Sequence, residues 1–344
     1  MGNGFYAQLN EIQDYSGQVY ATAADLNMIG DYIGIQCTDT AGFTGILNAF
    51  EQPMTSLGQK HSRILGDWYA RLSNTSAGLD EVVNRYAAAD GRGKDRFDSI
   101  EGKATSGSHL PSEPPVCTAR KSPEDFLKPP DMPKDSAVFK VQDLGSILPT
   151  IDWVIQKLTG GWSLLENIFK PITGNWEKLR MHADAWANTA KALDAVAQNL
   201  HDGLKALDPH WEGEAADAFH HHMGLWQKGL REEADIANSA KEQLENVAQQ
   251  SETIFNELSG LLGMIVDRAA TYWIPILGQA KAVLEADKIL NMISRAQDLV
   301  GRLQTITNLA NELIGKILAA GDVNFAPETR IPDQGFEAPK DGPR

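Results

Sequence analysis

An all-α protein is predicted by three features of the sequence. Two long apolar frames with alternating steps of three and four flank one turn. No stretch sustains a period-two alternation. A block of prolines separates these frames from a weaker copy of the same plan. The first frame is 176, 179, 183, 186, 190, 193, 197, 200, 204 and 207. It reads Trp, Leu, Ala, Trp, Ala, Leu, Ala, Leu, Leu, Leu, with no polar residue. Such spacing is the seam of one helix packed lengthwise on another, and a strand cannot place that set on one face. The second frame runs from Ala216 to Ile265 and is apolar except at Glu233 and Ser251. Asp208-Pro209 breaks the chain between them, because proline disfavours helical geometry in the residue before it. Residues 174–267 are therefore expected to form a long antiparallel helical hairpin.

The N-terminal region repeats the plan. Leu9, Ile12, Val19, Ala23, Leu26 and Ile33 fit one seam, and 38–45 reads as a turn. Met54, Leu65, Trp68, Leu72, Leu79, Val82 and Tyr86 fit a second seam, diluted by Gly58, His61 and Thr75. Pro53 marks an entry or kink. Eight of the sixteen prolines lie between Pro111 and Pro149, preceded by Gly91, Gly93, Gly102 and Gly107. That composition predicts an extended, solvated linker. Shorter amphipathic segments follow at 136–170 and from Ile289 to Ile317, and the chain after Gly321 is too polar to fold alone. The expected organisation is a hairpin at 1–91, a disordered linker at 92–134, a hairpin domain with flanking helices at 135–320, and a disordered tail at 321–344.

Composition narrows the function. The net charge is -15 and the charged share is 22%, so partners held through phosphate contacts are not expected, nucleic acid included. The two cysteines, Cys37 and Cys117, exclude a disulfide scaffold and a cysteine zinc cluster, while one bridge between them stays open. The N-terminus has no basic region followed by an apolar core, so no Sec-type signal peptide is expected. The most apolar stretch, Leu258 to Val266, is nine residues, against the roughly 20 needed to span a bilayer.

Trp211-Glu-Gly213-Glu-Ala215-Ala216-Asp-Ala-Phe219 carries the most specific local pattern. It lies at the turn between the two best helices. Trp211 can fold back as a plug across the hairpin end, and Gly213 allows an N-cap or a positive φ. Ala215 and Ala216 permit close helix approach, and Phe219 starts the seam. This run, with Asn175-Trp176-Glu-Lys-Leu before it and Trp186 within the first helix, resembles the Trp-x-Gly hairpin superfamily of type VII (ESX) secretion substrates. The surrounding chain is similar to the targeting modules of actinobacterial polymorphic toxins, over about 140–320.

Tyr86-Ala-Ala-Ala-Asp90 is the second pattern. Residues four apart share one helical face, and an aspartate at a helix C-terminus opposes the dipole. Its position resembles the Tyr-x-x-x-Asp/Glu export signal of type VII substrates. Region 1–105 is similar to the EspC-like branch, whose hairpin turn lacks Trp, as does 38–45 here. In that system the Tyr signal of one hairpin and the Trp-x-Gly of its partner act together. The resemblance therefore implies one element of each kind in this chain. The hairpins are expected either to pair with each other or each to pair with another chain.

Other chemistry finds little purchase. Adjacent residues His220, His221 and His222 point about 100° apart around a helix and cannot chelate one metal together; Asp217 and His221 make at most a weak surface site. The sequence has neither a Gly-x-Ser-x-Gly elbow nor a phosphate-binding glycine loop. Neither a cofactor, a structural metal nor an enzymatic activity is expected. Leu261, Leu262, Ile265 and Trp273 form the rival feature, read first as a core junction and second as a conditional membrane-contacting element. The resemblance implies a non-enzymatic substrate exported without a Sec peptide to the medium or cell surface. Its implied partners are the secretion ATPase and a small hairpin protein, a chaperone, or the chain itself. A membrane-active effector and a cytosolic helical adaptor are the alternatives.

Overall fold

A computed structural model describes residues 6–101, 120–131, 148–272 and 279–320. The fold is all-α. Helix α1 is Leu9–Gln36, α2 Glu51–Glu101, α3 Leu148–Thr159, α4 Lys170–Ile172, α5 Lys178–Leu207, α6 Glu214–Tyr272 and α7 Gln279–Ala320. Two-residue strands β1, Tyr6–Ala7, and β2, Trp211–Glu212, pair antiparallel.

Both expected hairpins form, α1 on α2 and α5 on α6. Each position of the frame from 176 to 207 is buried except the half-buried Leu204. Each position of the frame from 216 to 265 is buried, Glu233 and Ser251 included. In the first hairpin, Gly58, His61 and Thr75 are as buried as the apolar residues they interrupt. Gly58 is required by close approach: a Cβ there would lie 2.5 Å from Thr38 Cγ2.

The hairpins then pack on one another as a four-helix bundle. Helix α1 lies along α5. The Tyr15 hydroxyl donates to the Leu200 carbonyl at 3.0 Å, and Gln18 Nε2 to the Asn199 carbonyl at 2.8 Å. Gly203 lets the helices close, since a Cβ would meet Gln18 Oε1 at 2.5 Å and Tyr15 Cε2 at 2.6 Å. Helix α2 faces α6 through larger side chains, with Trp68 edge-on to Trp226 at 5.9 Å. Residue numbers rise on one helix as they fall on the other in both pairs. The turn of each hairpin thus sits at the open end of the other.

Two parts of the expected linker differ from an extended, solvated chain. Helix α2 continues through Gly91 and Gly93 to Glu101. Residues 120–131 lie against α1 and α5, with a 3₁₀ turn at Pro123–Phe126. The Arg120 guanidinium bonds both oxygens of Asp25. Asn199 pairs with the Lys121 peptide, accepting from its N–H and donating to its carbonyl, both at 2.9 Å. The Lys128 carbonyl accepts from the Tyr32 hydroxyl at 2.9 Å. Composition marked this strap as irregular, which it is; irregular backbone with partners for its polar groups can still be fixed. The rest of the expected linker and the tail lie outside the described residues. Cys37 is buried with a free thiol, and Cys117 lies outside the described residues.

Helix α6 has 59 residues against 30 in α5. Its second half outruns α5 and packs on α7 and α3. Helix α7 also returns toward the first hairpin's turn, where Asn311 Nδ2 donates to the Ala49 carbonyl at 2.9 Å. Helix α3 ends at Gly160 and Gly161, both with positive φ.

Candidate recognition end of the bundle

The Trp-x-Gly turn is built from the backbone outward. Helix α5 ends at Leu207, and Asp208–His210 forms one 3₁₀ turn. Gly213 follows with φ 113°, a conformation that strongly favours glycine. Its carbonyl accepts the Asp217 N–H at 3.0 Å, so it stands as the N-cap of α6. Ala215 and Ala216 are buried in the first turn. Trp211 is 1% exposed. Its ring lies 5.4 Å from Phe219, and Phe219 lies edge-on to Tyr15 of the first hairpin at 6.0 Å. An aromatic chain therefore runs from the turn of one hairpin into the core of the other. The plug expected of Trp211 is present, and through Phe219 it connects to the first hairpin as well as its own.

The chain's own beginning closes over this turn. Tyr6 is opposite Glu212 and Ala7 opposite Trp211, and the Gln8 N–H donates to the His210 carbonyl at 2.8 Å. Two residues carry too little alternation to show as a strand in sequence.

Tyr86 arrives at the same end on α2. It is half-buried, not freely exposed. Burial raises its phenol pKa from the ordinary 10.0, and the neighbouring Trp211 indole partly offsets this. The two groups are close enough to interact, although the indole Nε1 makes no hydrogen bond of ordinary geometry. Asp90, one turn on, is exposed. The helix does not end there, so Asp90 sits in mid-helix and the dipole argument does not apply to it. Tyr86 thus meets Trp211 of the turn, while Asp90 is exposed to solvent.

The three histidines after Phe219 do not share one solvated face. His221 is exposed and His220 half-buried, with Nδ1 3.5 Å from Asp208. His222 is buried: its Nε2 accepts from Trp226 Nε1 at 3.2 Å and lies 3.3 Å from Thr75 Oγ1. Burial lowers its pKa. Among the described residues no cluster of three or more His, Cys, Asp or Glu could hold a metal.

At the far end of α6, Leu261, Leu262 and Ile265 are 6%, 0% and 0% exposed. They belong to the core cluster that includes Ile289, Met292 and Leu299 of α7. Contact with a bilayer would require this packing to open. Trp273 lies outside the described residues. Among the described residues, no helix is long and apolar enough to cross a membrane.

Residues 171–254 match the family WXG100, proteins of 100 residues with WXG. The match spans the second hairpin from Pro171 to Ile254 and supports the Trp-x-Gly helical-hairpin superfamily for that segment. WXG100 proteins are associated with type VII secretion. No curated protein and no solved structure matches the chain.

Proposed function

We propose that this protein is a non-enzymatic substrate of a type VII secretion system, exported as a folded helical bundle to the medium or cell surface. Tyr86 and Asp90 would form one half of its address. The Trp211–Gly213 turn, with Ala215, Ala216 and Phe219 setting its helix, would form the other. The observation that carries this reading is the meeting of Tyr86 with Trp211 at one end of the bundle. A recognition element shared between two hairpins is thereby completed within one chain. The first hairpin, EspC-like in this reading, takes the place of the separate partner. The secretion ATPase is the expected receptor, since it would read the Tyr86–Asp90 stretch of α2 and the aromatic turn together.

The test is export in the native host. Tyr86→Ala, half-buried at the bundle end, should leave the helical content unchanged and keep the protein in the cell fraction. Asp90→Asn, on an exposed side chain, should reduce export with no change in folding stability. Normal export of both variants would sink the assignment.

A further inference from the structure

The two hairpin seams are interrupted by charge-bearing groups at one place each, and those places coincide. His61 is the only imidazole in the α2 seam, and Glu233 the only carboxyl in the α6 seam. In the bundle His61 Nδ1 meets Glu233 Oε1. His61 is 0% exposed and Glu233 6% exposed. The imidazole lies edge-on to Trp186 at 5.9 Å, and its Nε2 has no hydrogen-bond partner. The next level is wholly aromatic, Trp68 against Trp226.

We infer that the His61–Glu233 pair determines which hairpin pairs with which, and in what register. Apolar side chains accept many partners, because burial is non-directional. A buried carboxyl or imidazole accepts only a partner that completes its hydrogen bond. Sliding α2 by one heptad against α6 would set His61 at the level of Trp226 in one direction and Glu233 at the level of Trp68 in the other. Pairing a hairpin with a second copy of itself would bury either group among the apolar residues of its own seam. Each wrong arrangement strands a polar group that the observed one satisfies. A single polar position fixes partner and register in the same way in coiled coils. The rule also states the chemistry of any outside hairpin that could displace the second one: it must offer a carboxyl at the level of His61.

Thiol cross-linking in the full-length chain tests it. Thr75→Cys with His222→Cys, joined by a short thiol-to-thiol cross-linker, reports the native register, since the two native side chains meet at their polar atoms, 3.3 Å apart. The linkage is read by peptide mapping after reaction with the cross-linker. Four backgrounds are compared: the native pair, His61→Leu, both positions leucine, and the exchanged pair His61→Glu with Glu233→His. The native and exchanged pairs should give the within-chain 75–222 linkage in nearly all molecules. His61→Leu should lower the denaturation midpoint below that of the double-leucine chain, because it alone leaves a buried carboxyl unpaired. The double-leucine chain should stay folded but lose the 75–222 linkage at least three-fold, with 75–75 linkage between chains appearing. An unchanged 75–222 yield in the double-leucine chain overturns the inference. So does a midpoint for His61→Leu equal to or above that of the double-leucine chain.

Discussion

The α1–α5 and α2–α6 interfaces join the same two hairpins by different means. Between α1 and α5 two bonds run from side chain to backbone, Tyr15 to Leu200 and Gln18 to Asn199, over a gap left by Gly203, and Asn188 adds one to the Tyr32 hydroxyl at 3.3 Å. The strap at 120–131 then clasps both helices. Between α2 and α6 the bonds run from side chain to side chain, His61 to Glu233 and Thr75 to His222, with tryptophans filling the space. A carbonyl is offered by any residue, so the first interface depends mainly on shape. The second depends on residue identity. The first therefore holds the hairpins close, and the second selects them.

This contrast can be broken at its widest point by Trp226→Ala. The indole is 1% exposed, and truncation of a buried aromatic costs about 3–5 kcal/mol. The cost should appear in the denaturation midpoint. In hydrogen exchange, the amides of α2 and α6 should become unprotected before those of α1 and α5. Gly203→Leu strikes the other face. Overpacking against Tyr15 and Gln18 should cost about 1–3 kcal/mol and weaken the α1–α5 side first.

A pH series sharpens the comparison within the α1–α5 region. Burial holds the His182 pKa down at about 4, although the ring bonds the Asp39 carbonyl. Its folded-state value lies below its unfolded one, so stability is lost as pH falls from about 6.5 toward 4. Burial raises Asp25 to about 6 even with Arg120 beside it. There the folded state binds the proton more tightly, so stability is gained as pH falls from about 6 toward 4. His182→Gln should therefore lose less stability than the native chain over that interval, and Asp25→Asn should lose more. Denaturation curves at pH 7, 5.5 and 4 separate the two. The smallest effect belongs to Arg85→Ala. Arg85 and Glu81 are an exposed pair one helical turn apart, worth about 0.3–0.5 kcal/mol. A larger loss would show that the outer face of α2 matters more than its exposure suggests.

Much of this fold was legible as periodicity. The frames at 176–207 and 216–265 named the buried face of α5 and α6 almost residue by residue, because helical spacing is a local property. Glu233, Ser251, His61 and Thr75 read as blemishes in those frames. Their meaning lies in a meeting of residues far apart in the chain, as His61 with Glu233, and no spacing rule reports that. The strap shows the same limit. Proline content correctly denied it regular structure but said nothing of Arg120 meeting Asp25. At the candidate site, the positive φ of Gly213 and the plug role of Trp211 were legible in the turn. The burial of Tyr86 was legible as the last place in its seam, but its meeting with Trp211 was not, and neither was the ladder formed by Tyr6–Ala7.

Placing both hairpins in one chain also changes what dilution can do. Two separate proteins must find one another, and their association falls with concentration. Here each hairpin meets the other at a fixed effective concentration, which for tethered partners is on the order of millimolar. Their ratio is set by translation at one to one. The pairing needs no matched expression of a second gene, and it survives in a compartment where the protein is scarce.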